Sequence, residues 1–313
     1  MNCIPAWRLP FVVVNLVNMA LKPLYRGTLG HFGFSGGESS MNDMSHTEGN
    51  VFCHALEISW ASDVGRVRNG NEDNFACDAC AGLVVLADGM GGCQAGEVAS
   101  AIAVTTVMHE LTPKVHAAVN YSQPHGGGLG VVVTCMCNAV NLANQAVFEA
   151  AMQEPQLAGM GSTLVVAQFH DSKVTVANIG DSRLYLLRDH VLQQLTVDHT
   201  VLQEQIEYGF PVLNEAQRIA AGSMLTRALG AEPQITLDVL ERDVSPGDMF
   251  LICSDGLYDM LSDTEMRTIL LNGSEQPLEQ ITRNMVTRAN EKGGLDNITL
   301  ILVKVGHMRL TVS

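Results

Sequence analysis

A chain of 313 residues with 47% hydrophobic content and no long low-complexity tract can bury a large core, and its length suits one large domain or two small ones. A formal net charge of -15 argues against a nucleic-acid or anionic-membrane binder, since there is no basic stripe to replace phosphate counterions. Bound divalent cations would offset part of that charge. The eight cysteines, Cys3, Cys53, Cys77, Cys80, Cys93, Cys135, Cys137 and Cys253, are scattered, several within apolar runs where a thiol acts as a small core residue. This favours a reducing compartment and a cytoplasmic protein. Cys77 and Cys80 have the spacing of half a zinc site, but no matching second pair follows.

Residues 1–55 read as an N-terminal extension, either a flexible arm or an upstream start with Met41 or Met44 as the working initiator. The run Leu9 to Leu21 is apolar apart from Asn15 and Asn18. It is shorter than the roughly 20 residues a membrane-spanning helix needs, so no stable membrane insertion is expected. A signal peptide would need a clean small-residue cleavage site, which is lacking.

Residues 56–306 read as the folded domain and 307–313 as a tail. Leu56 to Trp60 alternates as a strand does, and the polar, glycine-broken stretch Ser62 to Phe75 would ordinarily be an exposed charged loop. The apolar run Leu83 to Ala87 predicts a strand that ends in Asp88-Gly89-Met90-Gly91-Gly92. Glu97 to Leu111 has helical apolar spacing, with Pro113 expected to limit it. Pro124 and Gly126 to Gly128 predict a loop. Val131 to Met152 predicts a second long helix, with Asn138, Asn141, Asn144 and Gln145 on its wetter face.

Short strands rich in Val, Leu and Thr follow at Ser162 to Phe169, Lys173 to Asn178, Arg183 to Arg188 and Val191 to Leu195. Turn residues separate them, which predicts an antiparallel meander. Asp198-His199-Thr200 opens a short helix to Tyr208, and Gly209 to Gly222 reads as a mobile insertion with a short helical patch. Thr236 to Asp243 and Asp248 to Cys253 are strands; Ser262-Asp263-Thr264-Glu265 is a capping box; Pro277 to Glu291 is a helix closed by Gly293-Gly294. The last strand is Ile298 to Val305. This order predicts an α+β fold, two antiparallel sheets with helices packed outside, and disfavours a parallel doubly wound sheet.

Three aspartates sit at the ends of apolar strands: Asp88, Asp255 after Met249 to Ser254, and Asp296 before Ile298 to Val305. A single Asp-Gly pair is ordinary turn chemistry. Burying several carboxylates together is costly unless protons or a metal neutralise them, so the recurrence points to a shared cation site.

Arg68-x-x-Asn71-Glu72-Asp73, Asp88-Gly89-Met90-Gly91-Gly92, Gly161-Ser162-Thr163, Asn178-x-Gly180-Asp181-Ser182-Arg183, Ser254-Asp255-Gly256-x-x-Asp259 and Asp296-Asn297-Ile298-Thr299 together resemble the metal-dependent type 2C serine/threonine protein phosphatases, in that family's order and in its bacterial form. The resemblance implies a β-sandwich flanked by helices, with two Mn²⁺ or Mg²⁺ ions at one end and a third beside them. Asp88 would bridge both ions, the Gly89 carbonyl would bind one, and Asp255 and Asp296 the other. Asp181 with Asp255 would form the third position, and Glu72 and Asp73 would hold metal-bound waters or ligate weakly. Arg68 would bind the substrate phosphate. The implied activity is hydrolysis of phosphoserine and phosphothreonine in proteins by a hydroxide bridging the two ions, opposing a serine/threonine kinase, in a monomer with catalytic residues Arg68, Asp88 and Asp255.

The residue chemistry agrees with that implication. Oxygen donors on strand ends suit Mg²⁺ and Mn²⁺, and a planar guanidinium can bind two phosphate oxygens at once. Pairing of Arg68 with Glu72 one helical turn on is the ordinary alternative. Met90 cannot donate a proton where eukaryotic relatives often have histidine, which leaves a metal-bound water, or His199 if the fold brings it near. Two rival functions keep the same fold: a catalytically silent binding module, and a hydrolase for another phosphoester.

Overall fold

The computed structural model describes residues 46–53, 56–92, 95–120, 130–210 and 214–306. In chain order the elements are β1 (His46–Cys53), β2 (Leu56–Asp63), β3 (Asp73–Asp78), β4 (Leu83–Met90), α1 (Ala95–Asn120), α2 (Gly130–Gln153), β5 (Gly161–Ser162), β6 (Leu164–His170), β7 (Lys173–Ile179), β8 (Arg183–Arg188) and β9 (Val191–Gln194). There follow α3 (Val201–Glu207), α4 (Glu215–Gly222), β10 (Asp238–Asp243), β11 (Met249–Cys253), α5 (Asp255–Tyr258), α6 (Asp263–Asn272), α7 (Leu278–Glu291) and β12 (Ile298–Val305).

The strands form two antiparallel sheets. One runs β1-β2-β12-β11-β8-β9 and the other β10-β7-β6-β4-β3, with the short β5 paired to β4. The sheets face each other through Ile58, Leu184, Leu186, Phe250, Ile252, Ile301 and Val303 on one side and Val84, Leu86, Val165, Ala167, Val174 and Val176 on the other. Alternate residues of the first sheet, including Tyr185, Leu251, Leu300 and Leu302, point away from that interior. They pack under α6 and α7 through Met266, Leu270, Ile281, Met285 and Ala289. Both faces of these strands are covered, so β11 and most of β12 are buried at every position and show no polar alternation. Over the second sheet, α1 lies along β4 and β3, and α2 packs on α1. By length and composition α2 could cross a bilayer, yet Met136, Ala139, Val140, Ala143 and Val147 are buried.

The expected sandwich is therefore the observed one, with local differences that have physical causes. Pro113 does not end the helix, which continues to Asn120. A proline forfeits one hydrogen bond and crowds the preceding turn, but the face Val98, Ala99, Ala103, Val104, Val107 and Leu111 is buried and holds the helix in place. Asn144, expected on a wet face, is buried: its Oδ1 accepts from Gly230 N–H (2.8 Å) and its Nδ2 donates to the Glu232 carbonyl (3.0 Å). The meander is split. β6 and β7 belong to one sheet and β8 and β9 to the other, and the chain crosses between them at Gly180-Asp181-Ser182, with Gly180 at φ 93°. β3 begins inside the Ser62 to Phe75 stretch, for which an exposed charged loop is the ordinary expectation, and pairs with β4; β1 extends the first sheet within residues expected to belong to the N-terminal extension. The rest of that extension, the 121–129 loop, Cys93 and the 307–313 tail lie outside the described residues.

Phe250 is fully buried and meets Phe169 of the opposite sheet edge-on, 5.1 Å between centroids at 76°. Phe250→Ala is expected to cost about 3–5 kcal/mol in chemical denaturation, and a loss under about 1 kcal/mol would contradict this packing.

Candidate metal centre and active site

The acidic residues meet at one end of the sandwich because strand register sets them there. β3 and β4 pair so that Asp73 stands directly opposite Asp88, which places both side chains on one face. The backbone of Asp88 is clamped from the neighbouring stretch: its N–H donates to Thr163 Oγ1 (2.9 Å), and its carbonyl accepts from Thr163 N–H (2.8 Å) and Ser162 Oγ (2.9 Å). Thr163 Oγ1 in turn bonds Ser182 Oγ at 2.7 Å. Thus Gly161-Ser162-Thr163 and Ser182, which offer no reactive group, fix the position of the central carboxylate.

From the other sheet, β11 ends at Ser254, the N-cap of α5, whose first residue is Asp255. Ser254 Oγ reaches across to donate to Asp73 Oδ2 at 2.7 Å. Asp296 precedes β12; its Oδ1 accepts from Asn297 N–H (2.8 Å) and its Oδ2 from Arg68 Nη2 (2.6 Å). Two glycines allow the close approach. A Cβ on Gly89 would fall 2.0 Å from the Gly96 carbonyl oxygen, and one on Gly256 2.1 Å from that of Asn297.

Burial raises the Asp88 carboxyl well above its ordinary range, and the charges of Asp73, Asp255, Asp181 and Asp296 raise it further. Asp255 is raised in the same way, by burial and then by Asp181, Asp296, Asp259 and Asp73. Burial pushes Asp73 up to about 7 against the opposing hydrogen bonds of Thr299 and Ser254, and Asp181 to about 6, helped by Asp198. Glu72 is raised by burial, with the Arg68 charge opposing. These groups form one electrostatic unit.

The donors suit a hard divalent cation. All are oxygens, and Asp73 Oδ1 and Asp255 Oδ1 are buried with no hydrogen-bond partner. Among the described residues no three acidic side chains close on a single point.

Arg68 sits on an exposed loop, half-exposed itself, and pairs with Asp296, not with Glu72 as in the alternative reading of the sequence. His199 is buried; Nδ1 accepts from Gly180 N–H (3.1 Å), which leaves the proton on Nε2, 3.2 Å from Asp238 Oδ2. Burial lowers its pKa. Both nitrogens are engaged in the fold, Nδ1 by Gly180 N–H and Nε2 by Asp238, with Arg227 Nη1 also 3.2 Å from Nε2. Three contributors had no role in the sequence reading. Ser254 and Asn297 are neighbours of Asp255 and Asp296 in the chain, and Tyr258, whose hydroxyl donates to the Asp181 carbonyl (3.1 Å), lies under the guanidinium of Arg183, 3.6 Å from its ring centroid. Arg183 is held in place by a bidentate bond to Asp198.

The family model described as protein phosphatase 2C matches residues 66–302. The chain belongs to this family. It is similar to the serine/threonine phosphatase Stp of Listeria monocytogenes, 36% identical over 252 residues that cover 80% of this chain and 96% of that one. Protein phosphatase PhpP of Streptococcus pneumoniae is 34% identical over 253 residues, 80% of this chain and 98% of PhpP. Among solved protein phosphatase 2C relatives, Mycobacterium tuberculosis PstP/Ppp superposes with a TM-score of 0.70 at 33% identity, covering 81% of this chain and all of that one. The PstP catalytic domain in complex with two manganese ions gives 0.68 at 33% identity, covering 82% and 100%. The fold expected from the sequence is thus that of the bacterial branch of the protein phosphatase 2C family.

Cation-free protein should respond to pH in a defined direction. Asp73 titrates near 7 when folded and about 4 when unfolded, so between these values the folded state holds more protons and stability falls as pH rises. In chelator, the melting temperature is expected to drop from pH 5 to pH 8, and Mn²⁺ is expected to remove most of that drop. A melting temperature that rises over this range in chelator would refute the buried acid cluster.

Proposed function

We infer that the chain is a metal-dependent phosphatase acting on phosphoserine and phosphothreonine in proteins. The observation that carries this is the meeting of Asp73, Asp88, Asp181, Asp255 and Asp296 from two sheets, with two orphaned carboxylate oxygens among them. Asp88, the Gly89 carbonyl, Asp255 and Asp296 would hold two Mn²⁺ or Mg²⁺ ions, Asp181 with Asp255 would provide a third position, and Glu72 and Asp73 would hold metal-bound waters or ligate weakly. Divalent cations at such a site lower the pKa of water toward neutrality and neutralise phosphoryl oxygens during in-line displacement.

The chain's own residues supply orientation. Arg68 leaves Asp296 to take two oxygens of the substrate phosphate, a bidentate contact that lysine could not reproduce. With Met90 at the rim and His199 committed elsewhere, the leaving serine or threonine alkoxide takes its proton from water at the site. Thr163, Ser162 and Ser254 keep the carboxylates in register while these exchanges occur. A silent binding module is disfavoured because every acid of the cluster is retained. The substrates are phosphoproteins made by a serine/threonine kinase, which this enzyme opposes. We place it in the cytoplasm as a monomer, and the thiols of Cys77, Cys135, Cys137 and Cys253 support a reducing compartment.

Purified protein with Mn²⁺ is expected to release phosphate from a phosphothreonine peptide. Asp88→Asn or Asp255→Asn should abolish release while circular dichroism stays unchanged, and full activity in either variant would sink the metal assignment. Arg68→Ala is expected to raise KM about tenfold with a smaller effect on kcat.

A further inference from the structure

The side-chain amide of Asn297, directly before β12, holds the 64–72 loop at three points. Its Oδ1 accepts from Glu72 N–H at 2.8 Å, and its Nδ2 donates to the carbonyls of Val64 and Gly70, each at 2.9 Å. Its backbone N–H donates to Asp296 Oδ1, and its carbonyl oxygen lies against Gly256, leaving no room there for a Cβ. The residue is only 4% exposed, and its two amide protons go to two backbone carbonyls.

The segment held in this way carries Arg68. Its outgoing leg is fixed by Gly65 N–H donating to Asp63 Oδ1 (2.8 Å) and Arg66 N–H donating to the Gly294 carbonyl (2.7 Å). Gly65 takes φ 84° against the Asp296 carbonyl, where a Cβ would sit 2.2 Å away. Residues 66–70 then run exposed around the tip. On the return leg Asn297 fastens Gly70 and Glu72, and between them Asn71 Nδ2 donates to Ser62 Oγ (2.8 Å). Without the Asn297 amide, Gly70 would lose its tie, and the nearest remaining anchors of the return leg would be Asn71 on Ser62 and the Glu72 carbonyl, which accepts from Gly89 N–H (3.1 Å) and Ser100 Oγ (2.6 Å). A long side chain on a loosened tip would contact phosphate in many arrangements, and most of them would be unproductive.

We propose that Asn297 is a positioning residue for Arg68: it closes the 64–70 loop and so sets the guanidinium where it meets the substrate phosphate. For its substrate this rests on the phosphatase reading; for its geometry it does not. A residue that merely supports the fold would lower stability without singling out the contact made by Arg68.

The test is a double-mutant cycle in the full chain at saturating Mn²⁺ on a phosphothreonine peptide. Asn297→Leu keeps the branched shape and removes the amide, and Asn297→Ala serves as the second variant if the first does not fold. Either is expected to raise KM about tenfold while kcat stays within about threefold, and to add less than about twofold to KM in an Arg68→Ala background. Equal KM increases in both backgrounds, or lost kcat with unchanged KM, would overturn the proposal. Amide hydrogen exchange gives a readout independent of catalysis: faster exchange across residues 64–72, with β2 and β12 still protected, is expected in both variants. Unchanged exchange there would also overturn it. A wild-type protein that releases no phosphate refutes the functional reading alone, and the exchange data then decide the geometry.

Discussion

Several like charges are held together at one end of a β-sandwich, and much of the rest of the fold serves that arrangement. Ionised carboxylates in an apolar setting repel one another and lose hydration, so the strands that present them need support from both faces. The interior between the sheets, centred on Phe250, Ile301 and Val165, supplies apolar burial on one side. The helices supply it on the other, α6 and α7 over the first sheet and α1 over the second. Small polar residues then fix the acids individually: Thr163 and Ser162 on Asp88, Ser254 on Asp73, Asn297 on the loops beside Asp296.

Much of this was legible from residue order alone. Strand-length apolar runs ending in Asp88 and Asp255, or beginning after Asp296, announced an oxygen-rich site because carboxylates rarely end buried strands together without a counter-charge. The two-layer architecture followed from the grouping of strands and helices. Helix signals of specific chemistry were the most dependable, as at Ser262, whose capping box with Glu265 is formed.

What stayed hidden depends on contacts distant in sequence. The stretch Ser62 to Phe75 suggests a loop because glycines and charges fill it, and the register against β4 is what makes a strand of its last residues from Asp73 on. Asn144 has the composition of a solvent-facing residue, yet its partners, Gly230 and Glu232, lie more than eighty positions away. Pro113 illustrates a local preference overridden by packing along the helix before it. Ser254, Tyr258 and Asn297 could be seen only once β11, β12 and the Asp181 crossover were side by side.

The acids come from both halves of the sandwich, Asp73 and Asp88 from one sheet and Asp255 and Asp296 from the strand ends of the other. A cation held by both pairs would act as a reversible cross-link between the two layers, joining points 167 to 223 residues apart along the chain. Closing so long a loop restricts the open ensemble, and binding only the closed form shifts the balance toward it by mass action. Cation supply would then set two properties together, the rate of the reaction and the resistance of the sandwich to being pulled apart.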